Sequence, residues 1–220
     1  MTMKPNYEKA ATKALETLIE NGIGTTPILP LPVLKRMKDV GVLSFTEMSN
    51  MSNIERRSFM TLLGENVDAI TLFVDQPKIK YIVGYNQRLP FYMLQRGVAR
   101  ELGHIVLGHD GQTRTTDVRM AEAYCFAHHF LCPRPLIYYV QQTDIRFTVE
   151  VLGNMTGCYE QCLSGMRDLP GVHVPAELNR KVRDQFKSCL NDFLDLQSVL
   201  SKNENSALAD FGSYMDNYEE

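Results

Sequence analysis

Cysteine is scarce and badly placed for crosslinking. The five, Cys125, Cys132, Cys158, Cys162 and Cys189, are odd in number and form no Cys-x-x-Cys pair, which excludes a disulfide framework and a thiolate zinc site. A reducing, cytoplasmic setting is expected. No apolar run approaches the roughly 18 residues of a membrane span, and Met1-Thr2-Met3-Lys4-Pro5 leads into a polar amphipathic segment where a signal peptide has its apolar core. Basic charge is also lacking. Lys and Arg number 23 against 26 Asp and Glu, the net charge is −3 and the pI is near 6.0. Apart from Lys35, Arg36 and Lys38 the cations are scattered, so neither direct nucleic-acid binding nor a membrane partner is expected.

Present instead is ordinary globular composition: 220 residues, 44% of them hydrophobic, enough for one core with a helical appendage. Asn6 to Asn21 has helical periodicity through Tyr7, Ala10, Ala14 and Leu18, bracketed by Pro5 and Gly22. Val33 to Val40 reads as a short helix, Val42 to Glu47 as a strand, and Asn53 to Leu63 as another short helix. Asp68 to Asp75 and Ile79 to Tyr85 alternate as strands joined by a turn, which predicts a hairpin. Two longer helices follow within Leu89 to Pro133, separated by the Gly- and Thr-rich stretch from Asp110 to Thr116.

Past Pro133 and Pro135 the signals are helical only, and a boundary is placed near Leu136. Residues 1–135 form the first domain, 136–200 a helical region, and 201–220 an acidic tail expected to lack structure. Thr148 to Met166 is spaced like a helix-turn-helix, but its second helix lacks basic residues and reads as packing. Pro175 to Leu200 carries an apolar stripe through Val182, Phe186, Leu190, Phe193 and Leu194.

The chemistry gathers on Arg100-Glu101-Leu102-Gly103-His104. On a helix, Arg100, Glu101 and His104 share one side, while Leu94, Val98, Leu102, Ile105 and Val106 share the other. A zinc hydrolase of the H-E-x-x-H type needs two imidazoles one turn apart to grip the metal and a Glu beside them to deprotonate its water. Here the Glu and the second His are present, but Arg100, a permanent cation without a lone pair, stands for the first His. Glu122, on the edge of the next helix's apolar stripe of Ala123, Phe126, Ala127 and Phe130, is placed to look across at His104. A mid-helix glycine costs about 1 kcal/mol against alanine, so Gly103 marks a close approach.

The run from Ala99 to His109, then Glu122-Ala123 with Phe126-Ala127 and Leu131-Cys132-Pro133, resembles the ImmA/IrrE metallo-endopeptidases. Their pattern reads A-H-E-L-G-H-x-x-L-x-H, then E-A-N-x-F-A and L-L-M-P. Tyr81 to Asn86 is similar to the strand ending in Asn that precedes the family's active helix. The departures are Arg100 at the first zinc His, Arg96-Gly97 for a Phe-Thr or Phe-Ser pair, and Tyr124 for Asn.

The resemblance implies an α+β, zincin-like fold: a small sheet of hairpin plus edge strand, an active-site helix pair and a helical C-terminal extension. It implies zinc held at the position of Arg100, by His104 and by Glu122, with Glu101 as general base for peptide hydrolysis. Arg100 leaves two of those ligands and can pair with Glu122 or Glu101 in the metal's place. His109 lies about 140° round the helix from His104, on the apolar side unless the helix has ended at Gly108, which makes it at most an auxiliary ligand. His128, His129 and His173 read as surface or packing residues. Two functions follow from the resemblance: a pseudoprotease that binds a protein partner, such as a helix-turn-helix repressor of a mobile element, without cutting it, or a zinc endopeptidase that cuts that repressor. The hairpin edge near residues 79–86 is expected to take up a partner strand.

Overall fold

The computed structural model describes residues 4–63, 67–74, 76–109, 116–143, 149–157 and 172–216. α1 (Tyr7–Glu20) starts where the Asn6 side chain accepts from the Lys9 N–H at 2.9 Å. It ends at Gly22, whose φ of 62° lets Ile23 N–H reach back to the Leu18 carbonyl at 3.0 Å. Ala10, Ala11, Ala14, Leu15 and Leu18 give it a buried stripe of mostly small residues, so a second helix can lie close against it.

α2 (Pro30–Arg36) leads to β1 (Val40–Ser44), α3 (Phe45–Ser52) and α4 (Arg56–Leu63). Ser44 and Glu47 form a capping box that turns the end of β1 sharply into α3, so the strand is shorter than the alternation suggests. β2 (Ala69–Phe73) and β3 (Tyr81–Tyr85) form the antiparallel hairpin expected from the sequence, with Ala69 opposite Tyr85, and β1 joins β3 in parallel.

The strand order β1-β3-β2 corrects one expectation. β3 is the central strand with both edges occupied, so residues 79–86 offer no strand-addition edge. Among the described residues the free edge beside the helices belongs to β2, because α5 lies against that strand.

α5 (Phe91–Val106) and α6 (Thr116–Leu131) pack as a pair, with α1 lying across α6. Gly103 sits where the helices touch: a Cβ there would lie 3.0 Å from the Phe126 ring. Val98, Ala99 and Leu102 are fully buried, and each large apolar side chain so placed contributes roughly 1.5–3 kcal/mol. α7 (Arg134–Gln141), α8 (Val149–Thr156) and α9 (Ala176–Asp216) complete the described helices. Val182, Phe186 and Leu190 of α9 join the same buried cluster as α1, α5 and α6, which therefore runs across the boundary drawn near Leu136.

The backbone of α9 remains helical to Asp216, against the expectation of an unstructured tail after residue 200. No proline follows Pro175, and Gly212 is the only glycine after Gly171, so good helix formers such as Ala207, Leu208 and Ala209 carry the hydrogen-bond ladder onward. The second half of the helix-turn-helix spacing, residues 158–166, lies outside the described residues. No helix among the described residues is long and apolar enough to cross a membrane.

Candidate active site

The end of α5 decides the site. Gly108 takes φ 68°, its N–H bonds the Ile105 carbonyl at 3.1 Å, and His109 N–H bonds the His104 carbonyl at 2.9 Å. This is the paired reverse bonding of a glycine-terminated helix. It swings His109 off the helical spiral and back over the preceding turn. Its ring then meets His104, Nδ1 to Nδ1, at 2.9 Å, and reaches α6 with Nε2 at 3.0 Å from Glu122 Oε2. The other Glu122 oxygen, Oε1, accepts the Asn6 N–H at 2.7 Å. His109 thus stands between His104 and Glu122, bonded to both.

Arg100 is held as firmly. Its Nη2 donates to Asp68 Oδ1 at 2.8 Å, to the Ala69 carbonyl at 2.8 Å and to Glu101 Oε1 at 2.7 Å, while Nε donates to Glu101 Oε1 at 2.9 Å. The Tyr124 ring lies under the guanidinium with its centroid 5.7 Å from Cζ. Glu101 Oε2 accepts from the Thr71 hydroxyl at 2.6 Å. Arg100 therefore pairs with Glu101, as the sequence allowed, and with Asp68, which the sequence reading missed; no bond joins it to Glu122.

Burial sets the protonation states. It disfavours the charge on Arg100, but the carboxylates of Glu101 and Asp68 outweigh it and raise the guanidinium above its ordinary pKa. Glu101 is raised by burial, an effect that the Arg100 charge and the Thr71 hydroxyl only partly oppose. His104 is lowered to about 4 by burial, with His109, Arg100 and Arg119 adding to the effect, so it is neutral at neutral pH. Beside these groups opens a cavity of about 330 Å³, lined in part by Thr71 and Phe73 of the β2 edge, Glu101, His104, His109 and Arg119.

Residues 38–154 match the family model of the IrrE N-terminal-like peptidase domain. The chain belongs to this family. No curated protein and no solved structure matches it. The metallopeptidase fold of the family is present: the small mixed sheet, the helix pair and the helical C-terminal region all stand in their expected order. α1 and α2 precede the matched segment, yet α1 supplies the Asn6 N–H to Glu122.

Set against the family pattern, the departures at Arg96, Gly97, Arg100 and Tyr124 touch one cluster. Arg100 itself binds Asp68. Arg96 reaches the other oxygen of Asp68, Nη2 to Oδ2, at 3.9 Å. A Cβ on Gly97 would lie 2.7 Å from Asp68 Cγ, so the Ser or Thr of the family pattern leaves no room for this carboxylate. Tyr124 stacks under the guanidinium.

The metal that the IrrE-like family implies does not fit the residues as they stand. Of its three ligand positions one is Arg100, whose five N–H groups offer no lone pair. Both nitrogens of His109 and both oxygens of Glu122 are engaged in the bonds above. Among the described residues no group of three or more His, Cys, Asp and Glu side chains is placed to hold a metal ion. Glu101 lines the cavity, with Oε1 accepting from Arg100 and Oε2 from the Thr71 hydroxyl.

Sequence reasoning missed Asp68, Thr71 and Asn6. Gly97 carried a usable signal, since a glycine inside a helix marks a close approach.

Proposed function

We propose that this chain is a pseudoprotease of the IrrE-like family: a metallopeptidase-fold protein that keeps the peptide cleft and uses it to bind a protein partner without cutting it. The partner class that the resemblance suggests is a helix-turn-helix repressor of a mobile element. The convergence of Arg96, Gly97 and Tyr124 on the Asp68–Arg100 pair supports this reading. A lone substitution at the metal position would leave a damaged enzyme; four positions adapted to one ion pair describe a site rebuilt around a cation that belongs to the chain. The β2 edge beside the cavity has the backbone groups to pair with an extended segment, and the exposed Phe73 next to it adds an apolar contact.

Metal analysis of the purified full chain, alone and after Arg100→His, tests the proposal. The unmodified protein is expected to carry far less than one zinc per chain and to leave a bound repressor intact, and the variant to gain zinc. Stoichiometric zinc in the unmodified protein, with cleavage that Glu101→Gln abolishes, would establish the other reading, an active endopeptidase with Glu101 as general base.

A further inference from the structure

Seven residues beyond Glu122 on α6, about 10 Å along the axis, His129 looks into a second cavity that the family pattern does not use. This hollow measures about 430 Å³ and lies where α7 and the start of α9 meet above α6 and α1. Arg134, the first residue of α7, lines it together with Arg180 and Arg183, which share one face of α9 three residues apart. Among the described residues no Asp or Glu contributes to its wall, although acids outnumber bases in the chain. None of these three arginines forms an ion pair with a carboxylate among the described residues.

His129 adds a polar ring to the same wall. It is 3% exposed and lines the cavity. Burial, with Arg134 and His128 nearby, lowers its pKa to about 4, so it waits as a neutral ring that can donate to or accept from a guest. The start of α9 adds the Ala176 N–H and the Asn179 side chain to the wall, the N–H groups of Leu178 and Asn179 being bonded to the Pro175 carbonyl. Gln142 and His173 add polar groups, and the rest of the wall is apolar or aromatic, with Leu15, Pro135 and Val174 and the Tyr138 ring 66% exposed.

We propose that this cavity is a binding site for a small phosphate monoester with a flat apolar body, of mononucleotide size. The phosphate sits between Arg180, Arg183 and the start of α9, where guanidinium forks match its oxygens, and the ring system lies against Tyr138 and the apolar wall. Three cations with no acid select the charge, and the apolar wall selects against phosphate alone.

Calorimetric titration of the full chain with adenosine monophosphate, inorganic phosphate and adenosine tests the site. Adenosine monophosphate is expected to bind, to raise Tm, and to weaken as salt rises. Arg180→Ala and Arg183→Ala, both at exposed positions, are each expected to weaken it by about tenfold or more, with unchanged circular dichroism. Lys38→Ala, an exposed cation outside the cavity wall, leaves the affinity unaltered. No binding of adenosine monophosphate at millimolar concentration, or binding indifferent to the α9 arginines, overturns the proposal. Phosphate or adenosine binding as tightly as the nucleotide overturns the two-part recognition.

Discussion

Asp68 and Arg100 lie 32 residues apart in the chain and 2.8 Å apart in the fold, with side chains only 9% and 12% exposed. The pair joins the strand side of the cleft to its helix, and an ion pair so enclosed is costly to break from one side only. Arg100→Ala strands Asp68 and Glu101 as buried carboxylates, and Asp68→Ala leaves the cation with Glu101 alone. Each is expected to cost about 3–5 kcal/mol in urea denaturation, Arg100→Ala more than Asp68→Ala. A loss under about 1 kcal/mol for both would show that water, not protein, satisfies these charges.

Gly97 makes the same pair possible. Gly97→Ser returns the residue type of the family pattern and drives its Cβ against Asp68 Cγ, 2.7 Å away. The strain is expected to lower stability by about 1–3 kcal/mol. In an Asp68→Ala background the same change should cost less but not nothing, because the clashing carboxyl is gone while the Cβ of residue 68, 2.9 Å away, remains. A double-mutant cycle reads this directly.

Glu122 is a joint as well as a family position. Replacing it by Ala leaves the Asn6 N–H and His109 Nε2 without their acceptor, so a loss of about 1–3 kcal/mol is expected, with faster amide exchange in the first turn of α1. Glu122→Gln keeps one acceptor oxygen and should lose less. Equal losses for the two variants would mean that packing, and not these bonds, holds the joint.

Acid should weaken the fold through its buried imidazoles. His129 has an ordinary pKa of 6.5 when unfolded and about 4 when folded. Between those values the unfolded chain binds the extra proton, so its share of stability is complete above pH 6.5 and is lost as pH falls toward 4. The loss from about pH 7.5 to pH 5 is expected to be on the order of 2 kcal/mol for this group. His128, lowered to about 4 by burial, follows the same sense. Urea midpoints of the wild type and His129→Gln across that range check it: the variant should show the shallower pH slope.

The periodicity of α5 and α6, the glycine at their contact and the Glu101, His104 and Glu122 spacing were legible because helical repeats map directly onto faces. The position of His109 was not, since counting 100° per residue assumes the helix continues and Gly108 had already ended it. Asp68 was invisible for a different reason. A lone acid before a strand has no periodic signature, and its partner lies a hairpin and a helix away.

The bonds from Asn6 through Glu122 and His109 to His104 connect the entrance of the first helix to the floor of the cleft. A partner that tugs on the segment before α1 thus has a mechanical handle on the imidazole pair. Displacing that end would take the Asn6 N–H from Glu122, the acid that holds the His109 ring.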